Sequence, residues 1–251
     1  MKWKLRKTNR AHPSPAPCDM AGGLAIRDLR VHGNRGRVLL DIPALSVAPG
    51  EMVCVRGPSG AGKSTLLFAI AGLVRGVEGT ITWAGHTISD LSSAAAARFR
   101  RDQMGLIFQD YLLFEELDPL ANASLTAAFR PAPAPRAVIK RAAHILDRFG
   151  LGDLGRRRVR SFSGGERQRV SVARALAHEP ALILADEPTA NLDRAGADRL
   201  VDDLMALVAG GDKTLLLVSH DAAVQARANR VVTLRDGRLA APADAAAVGD
   251  A

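Results

Sequence analysis

Cysteine is scarce in this chain of 251 residues, which has only Cys18 and Cys54. Neither has a metal-ligand or redox neighbour at a useful spacing, so we expect no structural disulfide, as is typical of a reducing compartment. Cys54 lies in a short apolar run, residues 52–55, and we predict that its thiol is buried in the core.

Long apolar runs are missing as well. No stretch of about 18 apolar residues occurs, so we expect the chain not to span a membrane. Residues 1–7 are basic like the start of a secretory signal, but residues 8–17 are polar and proline-rich, so the apolar part of a signal peptide is absent. We therefore predict a cytoplasmic protein, for which another subunit would have to cross any membrane it serves.

Acidic residues are outnumbered, because 26 Asp and Glu stand against 34 Lys and Arg and give a formal net charge of +8. A basic chain can bind nucleic acid, anionic lipid or phosphate ligands, and charge alone does not choose among them.

Hydrophobic residues make up 47% of the chain, too many for a disordered protein. The length allows one domain with a subdomain and a sizeable core.

The sequence divides into an organised domain, residues 23–240, between two tails. Residues 1–22 are predicted to be a flexible basic tail, with a lipid-facing arm or a true start at Met20 as alternatives. Residues 241–251 are alanine-rich and are predicted to be a loose end. Apolar runs that alternate with turns predict strands over residues 24–55.

Further elements follow from local patterns. Hairpins are predicted over residues 79–89 and 231–239, and a short helix over residues 94–101. Residues 110–160 are predicted to be a helical insert, with a proline-rich link at 131–135. Its main helix ends at Gly150 and has one apolar stripe, made of Val138, Ile139, Ala142, Ile145, Leu146 and Phe149.

Three short apolar runs each end in residues that carry chemistry. They are residues 52–56, 181–185 and 214–218. Runs that are apolar throughout are typical of strands buried on both faces of a parallel sheet. Because ligands of open α/β sheets bind at the carboxyl ends of the strands, we expect these three ends to converge on one site.

The first run ends in a pattern that binds phosphates, G-x-x-x-x-G-K-[ST]. Its residues are Gly57, Pro58, Ser59, Gly60, Ala61, Gly62, Lys63, Ser64 and Thr65. The alternative is a glycine-rich turn without a ligand, but the strand before it and a predicted helix over residues 63–73 favour the phosphate site. We expect Lys63 to reach the β- and γ-phosphates and Ser64 to bind Mg²⁺.

The other two runs end in Asp186-Glu187 and in Ser219-His220. Asp186 is predicted to hold Mg²⁺, and Glu187 to orient or deprotonate the attacking water. Both could instead be acids that favour a helix start, and the phosphate-binding loop decides against that alternative. We predict that His220 senses the γ-phosphate, whereas the other five histidines are predicted to be packed or surface residues.

A fourth segment, residues 162–169, resembles the signature motif of the ATP-binding cassette (ABC) family. Gln109 matches that family's Q-loop, residues 190–193 its D-loop and residues 219–221 its switch-histidine motif, over a resemblance that runs from about residue 24 to 240. The resemblance implies an α/β fold with a P-loop NTPase core and a mostly parallel sheet. It also implies an N-terminal antiparallel β subdomain and an α-helical subdomain at about residues 110–160.

The signature also has a physical interpretation. Ser163 and Glu166 form the pattern of a capping box, which predicts a helix over residues 166–178. The pair Gly164-Gly165 leaves the backbone bare at the helix start, which suits a phosphate contact. The resemblance implies that these four residues contact ATP held by a second cassette in a head-to-tail homodimer.

The family resemblance further implies an ATPase that uses ATP and Mg²⁺. Mg²⁺ would be held by Ser64, Gln109 and Asp186, and catalysis would use Gln109, Glu187 and His220. The protein would lie at the inner face of the cell membrane and drive an integral membrane permease, with no nucleic acid as partner. Residues 166–169 and 188–193 resemble the lipoprotein-release, macrolide-efflux and cell-division group. The alternative is a soluble or regulatory cassette in cell division, DNA repair or translation.

Several positions depart from the family pattern or leave two interpretations open. Phe162 replaces the usual Leu and Glu166 a common Gln, and both changes keep the capping pattern. No aromatic residue for stacking on adenine is evident, and Val31 or His32 stands near its place. Residues 111–114 are apolar and either receive the coupling helix of the membrane subunit or pack within the helical insert. On the first interpretation, Leu113→Asp uncouples the partner without unfolding the chain.

Overall fold

The computed structural model describes residues 22–33, 36–131, 133–152 and 157–240. The predictions for Cys18, Met20 and His12, for the basic tail apart from Gly22, and for the end 241–251 lie outside the described residues. In the described ranges, no helix is both long enough and apolar enough to cross a bilayer.

The strands form two sheets. In chain order they are β1 (Leu24–His32), β2 (Val38–Val47), β3 (Met52–Arg56), β4 (Val77–Trp83), β5 (His86–Thr87), β6 (Met104–Ile107), β7 (Leu182–Asp186), β8 (Thr214–Val218), β9 (Arg230–Arg235) and β10 (Arg238–Leu239). An antiparallel sheet has the order β2-β1-β4-β5, and a six-stranded sheet has the order β10-β9-β3-β8-β7-β6. All pairs of the second sheet are parallel except β9 with β10.

Seven α-helices complete the described fold. They are α1 (Lys63–Ile70), α2 (Ser93–Gln103), α3 (Pro119–Ala123), α4 (Ala134–Arg148), α5 (Gly164–Leu176), α6 (Arg194–Ala209) and α7 (Ala222–Arg227). The architecture confirms the predicted α/β class, with an antiparallel β layer at the N-terminus and helices inserted after β6.

The three chemistry-bearing strands are confirmed. β7 and β8 are buried at every residue and β3 at all but its last, so their apolar composition follows from cover on both faces. In the register, Val218 pairs with Asp186 on one side and with Val55 on the other. The carboxyl ends of β3, β7 and β8 therefore lie side by side at one edge of the sheet.

Helix α1 ends three residues earlier than predicted. Gly72 has a φ of +63°, which a helix cannot continue. The N–H of Leu73 donates to Phe68 O and that of Gly72 to Ala69 O, the two bonds of a Schellman cap. The two predicted hairpins and the helix before β6 are confirmed, the latter extended to Ser93–Gln103.

The helical insert shares its core with α5. Buried side chains of α4 pack with Val170 and Ala173 of α5 in one cluster, whereas Val172 and Leu176 of α5 pack under the sheet. Helix α5 therefore joins the insert to the sheet. Helix α4 begins inside the predicted proline-rich link, with Pro135 in its first turn.

One member of the predicted apolar stripe of α4 is wrong. Ile139 is 42% exposed, while Val138, Ala142 and Leu146 are buried. The buried residues recur every four positions, so Ile139 lies about 100° around the helix from Val138 and falls outside the packed face.

Candidate functional site

The loop between β3 and α1 is shaped by glycines. Gly57, Gly60 and Gly62 all have positive φ, and a Cβ on Gly57 would lie 2.0 Å from Leu234 O. Gly62 is the N-cap of α1 and provides no side-chain hydrogen bond, so the first N–H groups of the helix stay open. This loop can surround an anion with backbone donors.

Lys63 lies at the centre of the loop. Its Nζ donates to Gly57 O and to Pro58 O, both at 2.9 Å. These two neutral acceptors leave the ammonium without a carboxylate partner in the part of the chain that the structure describes. A phosphate oxygen would be a stronger partner for it, because a charge-assisted hydrogen bond is about twice as strong as a neutral one.

A cavity of about 610 Å³ opens beside this loop and holds most of the predicted site. The predicted site residues that line this cavity are Gly57, Ser59, Gly60, Gly62, Lys63, Ser64, Thr65, Gln109, Asp186, Glu187 and His220. Two predicted contacts, Pro58 and Ala61, are not among the lining residues. Ala61 is 3% exposed and its carbonyl accepts from Gly237 N.

The two acids at the end of β7 differ in geometry. Asp186 is the last residue of the strand and is 5% exposed. Glu187 has a φ of +45°, a strained conformation for a residue with a Cβ, and its N–H donates to Val218 O. The backbone therefore turns sharply after Asp186, and both side chains reach the cavity.

The carboxylate of Glu187 is buried and has an unused acceptor. Its Oε2 lies 3.0 Å from Nδ1 of His220, yet it has no well-aligned hydrogen-bond donor among the described residues. The His220 side chain is 77% exposed while that of Glu187 is 13% exposed. An acceptor of this kind, beside a ring nitrogen, can orient or deprotonate a water molecule.

Ser219 and Asp221, the neighbours of His220, stabilise the loop that carries it and do not line the cavity. Ser219 is fully buried and its Oγ accepts from Asp221 N. Asp221 caps α7 by accepting from Ala223 N at 2.8 Å, which holds the pKa of Asp221 below its usual value. The two flanking residues thus fix the loop, and the imidazole projects from it.

The capping box at α5 is confirmed. Glu166 N donates to Ser163 Oγ at 3.3 Å, and Ser163 N donates to Glu166 Oε2 at 2.7 Å. The second bond lowers the pKa of Glu166. The helix begins at Gly164, two residues before the predicted start, because the two glycines already form its first turn.

The predicted signature contacts do not line the cavity of their own chain. Ser163, Gly164, Gly165 and Glu166 are absent from its lining residues, and the Glu166 carboxylate is engaged by Ser163. A Cβ on Gly164 would lie 3.2 Å from Tyr111 Oη, and one on Gly165 would lie 3.3 Å from Leu192 Cδ2.

The positions considered for adenine stacking do not lie at the cavity. Val31 is fully buried, and His32 Nε2 lies 3.2 Å from Glu78 Oε1. The register of β1 with β2 shifts between these two residues, and the His32 ring lies beside Glu78 of β4. Among the described lining residues there is no Phe, Tyr or Trp.

Other residues complete the cavity and were missed from the sequence. They are Arg37, Val38, Leu39, Ala190, Val218, Asp236 and Gly237. The turn of the last hairpin had been located, but its place against the loop depends on long-range hydrogen bonds from Gly237 N to Ala61 O and from Asp41 N to Gly237 O.

The apolar segment after Gln109 is divided between the two interpretations. Leu112 and Phe114 are 57% and 52% exposed, whereas Leu113 packs against the helical cluster. For Leu113 the structure favours the second interpretation, because its partly buried side chain packs against the core of the insert.

Comparisons with known proteins agree with this geometry. Residues 40–190 match the family described as "ABC transporter". The chain is 41% identical over 218 residues to the lipoprotein-releasing system ATP-binding protein LolD of Novosphingobium aromaticivorans, covering 85% of this chain and 96% of that protein. It is 44% identical over 207 residues to the macrolide export ATP-binding/permease protein MacB 1/2 of Paracoccus denitrificans, covering 82% of this chain but only 30% of that protein.

Solved structures give the same result. The dimeric structure of MJ0796, a bacterial ABC transporter cassette, superposes with a TM-score of 0.81 at 32% identity. The superposition covers 87% of this chain and 97% of that one. A second structure of the same cassette, dimeric and bound to ADP and Pi in a post-hydrolysis state, superposes with a TM-score of 0.77 at 30% identity.

Proposed function

The chain belongs to the ABC transporter family, and from that premise we propose that it is the ATP-hydrolysing subunit that drives a partner protein in the membrane. One observation carries this proposal. The ends of three buried strands bring Lys63, Glu187 and His220 to a single cavity beside an anion-binding loop. Such an arrangement can hold a nucleoside triphosphate and place a base beside its terminal phosphate.

The donor set fits Mg²⁺. No group of three or more His, Cys, Asp or Glu side chains suited to a metal occurs in the described ranges, so the ion would depend on phosphate oxygens as well as on the protein. Ser64, Gln109 and Asp186 offer oxygen ligands at the cavity, as Mg²⁺ prefers. When bound there, the ion would neutralise charge on the phosphates.

The residues of this chain supply the remaining steps. Lys63 and the open N–H groups of α1 hold the phosphates, and Glu187 accepts a proton from water through its carboxylate, whose Oε2 has no well-aligned donor among the described residues. His220 is placed to donate towards the terminal phosphate and lies against Glu187. Two cassettes in a head-to-tail homodimer would bring the signature of one chain to the cavity of the other, since Ser163 and Gly164 do not reach their own.

A membrane partner is supported by an exposed apolar surface. Leu112 and Phe114 project to solvent three and five residues after Gln109, so movement at the nucleotide can reach them along a short stretch of backbone. The named relatives act in lipoprotein release and macrolide export, and we extend that class of transport to this chain. The protein would then lie at the inner face of the membrane.

The experiment compares wild type with Glu187→Gln and with Glu179→Gln, a matched change at an exposed glutamate. We expect wild type to hydrolyse ATP with Mg²⁺, Glu187→Gln to lose roughly 10²–10⁴-fold in kcat with ATP binding intact, and Glu179→Gln to match wild type. Wild-type turnover in Glu187→Gln would remove that residue from its role.

The partner is tested by purifying tagged Glu187→Gln from its own cells in mild detergent with ATP. Mass spectrometry should find a polytopic membrane protein in near-equal amount. Recovery of only soluble protein, ribosomes or nucleic acid would contradict the transport function and leave the ATPase intact.

A further inference from the structure

The backbone just after Gln109 is strained. Tyr111 has a φ of +58° and Leu112 a φ of +48°, so two consecutive residues with side chains adopt the left-handed conformation. Each such residue is strained, because its Cβ comes too close to the following carbonyl oxygen. Tyr111 N donates to Phe108 O and Leu112 N donates to Asp110 O. The second bond closes a three-residue turn, which is strained when its central residue, here Tyr111, has a positive φ.

A cation on α5 holds this turn. Arg174 Nη2 donates to Tyr111 O at 2.7 Å and Nη1 donates to Leu112 O at 2.5 Å. Ser171 Oγ adds a weaker contact to Tyr111 O at 3.4 Å. The guanidinium group is planar, so its two Nη donors can reach both carbonyls only when the carbonyl oxygens of Tyr111 and Leu112 point to the same side of the backbone.

Arg174 is kept in place at an energetic cost. Among the described residues, no carboxylate lies within ion-pair distance of its guanidinium, and burial lowers the pKa of Arg174 to about 10. A partly buried cation without a counter-charge is unfavourable unless its hydrogen bonds are made. Its hydrogen bonds are to the strained turn, so the cation and the turn depend on each other.

The turn joins the parts of the proposed site. Gln109 lines the cavity, and the Tyr111 hydroxyl lies near the side chain of Asn191 and near Gly164. We propose that Arg174 is a positioning residue, which holds the left-handed Tyr111–Leu112 turn and thereby keeps Gln109 at the nucleotide. This inference rests on the proposed ATP hydrolysis.

The test uses a rescue that a merely structural arginine would not show. Arg174→Met should lower kcat roughly 10- to 100-fold and raise the Mg²⁺ concentration for half-maximal rate, with ATP binding in EDTA unchanged. Adding Leu112→Gly should recover about tenfold, because glycine adopts positive φ without steric cost. Leu112→Gly alone supplies the fourth corner of the double-mutant cycle.

Two further variants keep the test decisive. Arg141→Met removes another arginine that donates to a backbone carbonyl, Ala177 O, and should leave the Mg²⁺ dependence as in wild type. If Arg174→Met does not fold, Arg174→Lys keeps the charge but lacks the planar fork, and its partial loss should also be rescued by Leu112→Gly.

Hydrogen exchange separates this inference from the proposed function. Amides of residues 108–114 should exchange faster in Arg174→Met than in wild type. Unchanged exchange, wild-type kinetics in Arg174→Met, or a double variant no faster than Arg174→Met overturns the positioning role. A wild-type chain that does not hydrolyse ATP contradicts the proposed function instead, whatever the exchange shows.

Discussion

Replacing Gly164 or Gly165 by alanine should separate stability from activity. Both glycines lie in the first turn of α5, and neither has a positive φ that would require glycine. Alanine at a compatible position stabilises a protein by about 0.4–1 kcal/mol, chiefly by restricting the unfolded chain. On folding grounds alone, both substitutions should therefore be neutral or favourable.

Close contacts at the two added Cβ atoms oppose this gain in stability. A Cβ at Gly164 meets Tyr111 Oη at 3.2 Å, and one at Gly165 meets Leu192 Cδ2 at 3.3 Å, so each neighbour must move by a few tenths of an ångström. We expect these terms to offset each other within about 1 kcal/mol, which is about 2–4 °C in Tm for a domain of this size. A methyl group on the bare helix start would, however, push away a phosphate from a second cassette. Turnover should fall roughly 10²-fold, the effect of a misplacement near 1 Å.

The assay is ATP hydrolysis at a protein concentration that permits dimers, with Tm measured on the same samples. Gly210→Ala is the matched control, because Gly210 has a φ of −68° at the end of α6 and its nearest Cβ neighbour is Leu207 O at 3.8 Å. It should gain stability and keep wild-type turnover. Wild-type turnover in Gly164→Ala, with unchanged Tm, would refute a phosphate contact at the signature and leave only a capped helix.

Three further predictions concern residues outside the cavity. Phe114→Asp should leave Tm near wild type and lose the co-purified membrane partner, whereas Leu113→Asp should lower the free energy of unfolding by about 2 kcal/mol or more in denaturant titrations, because it places a carboxylate in the helical cluster. Burial lowers the pKa of His178 below its ordinary 6.5, so the unfolded chain takes up the proton first. Stability should be full above about pH 6.5 and decline below it, and urea titrations of His178→Gln should show a flatter decline. Burial raises the pKa of Cys54 to about 12, so in a Cys18→Ser background a thiol reagent should react only after denaturation.

The sequence predicted the strand ends because the information there is local. A strand buried on both faces must be apolar throughout, as β3, β7 and β8 are, and a polar residue at its end must face a site or solvent. The capping box is equally local, since Ser163 and Glu166 act within one turn. The far end of the cavity is different. Arg37 and Leu39 reach it only because the antiparallel sheet packs against the last hairpin through Gly237.

The same distinction explains why the Arg174 contact has no sequence signal. Position 174 lies on an amphipathic helix, where an arginine is ordinarily a solvated residue, and positive φ at Tyr111 and Leu112 cannot be foreseen from residues that rarely adopt it. Each feature alone is unfavourable, one as a partly buried charge without a counter-charge and the other as backbone strain. The two features stabilise each other, because the strained turn directs the carbonyls of Tyr111 and Leu112 towards the Arg174 guanidinium, which donates to both. A local departure from the rules of folding is expected where a chain gains function by it. Here the departure lies between Gln109, which lines the cavity, and the exposed side chain of Phe114.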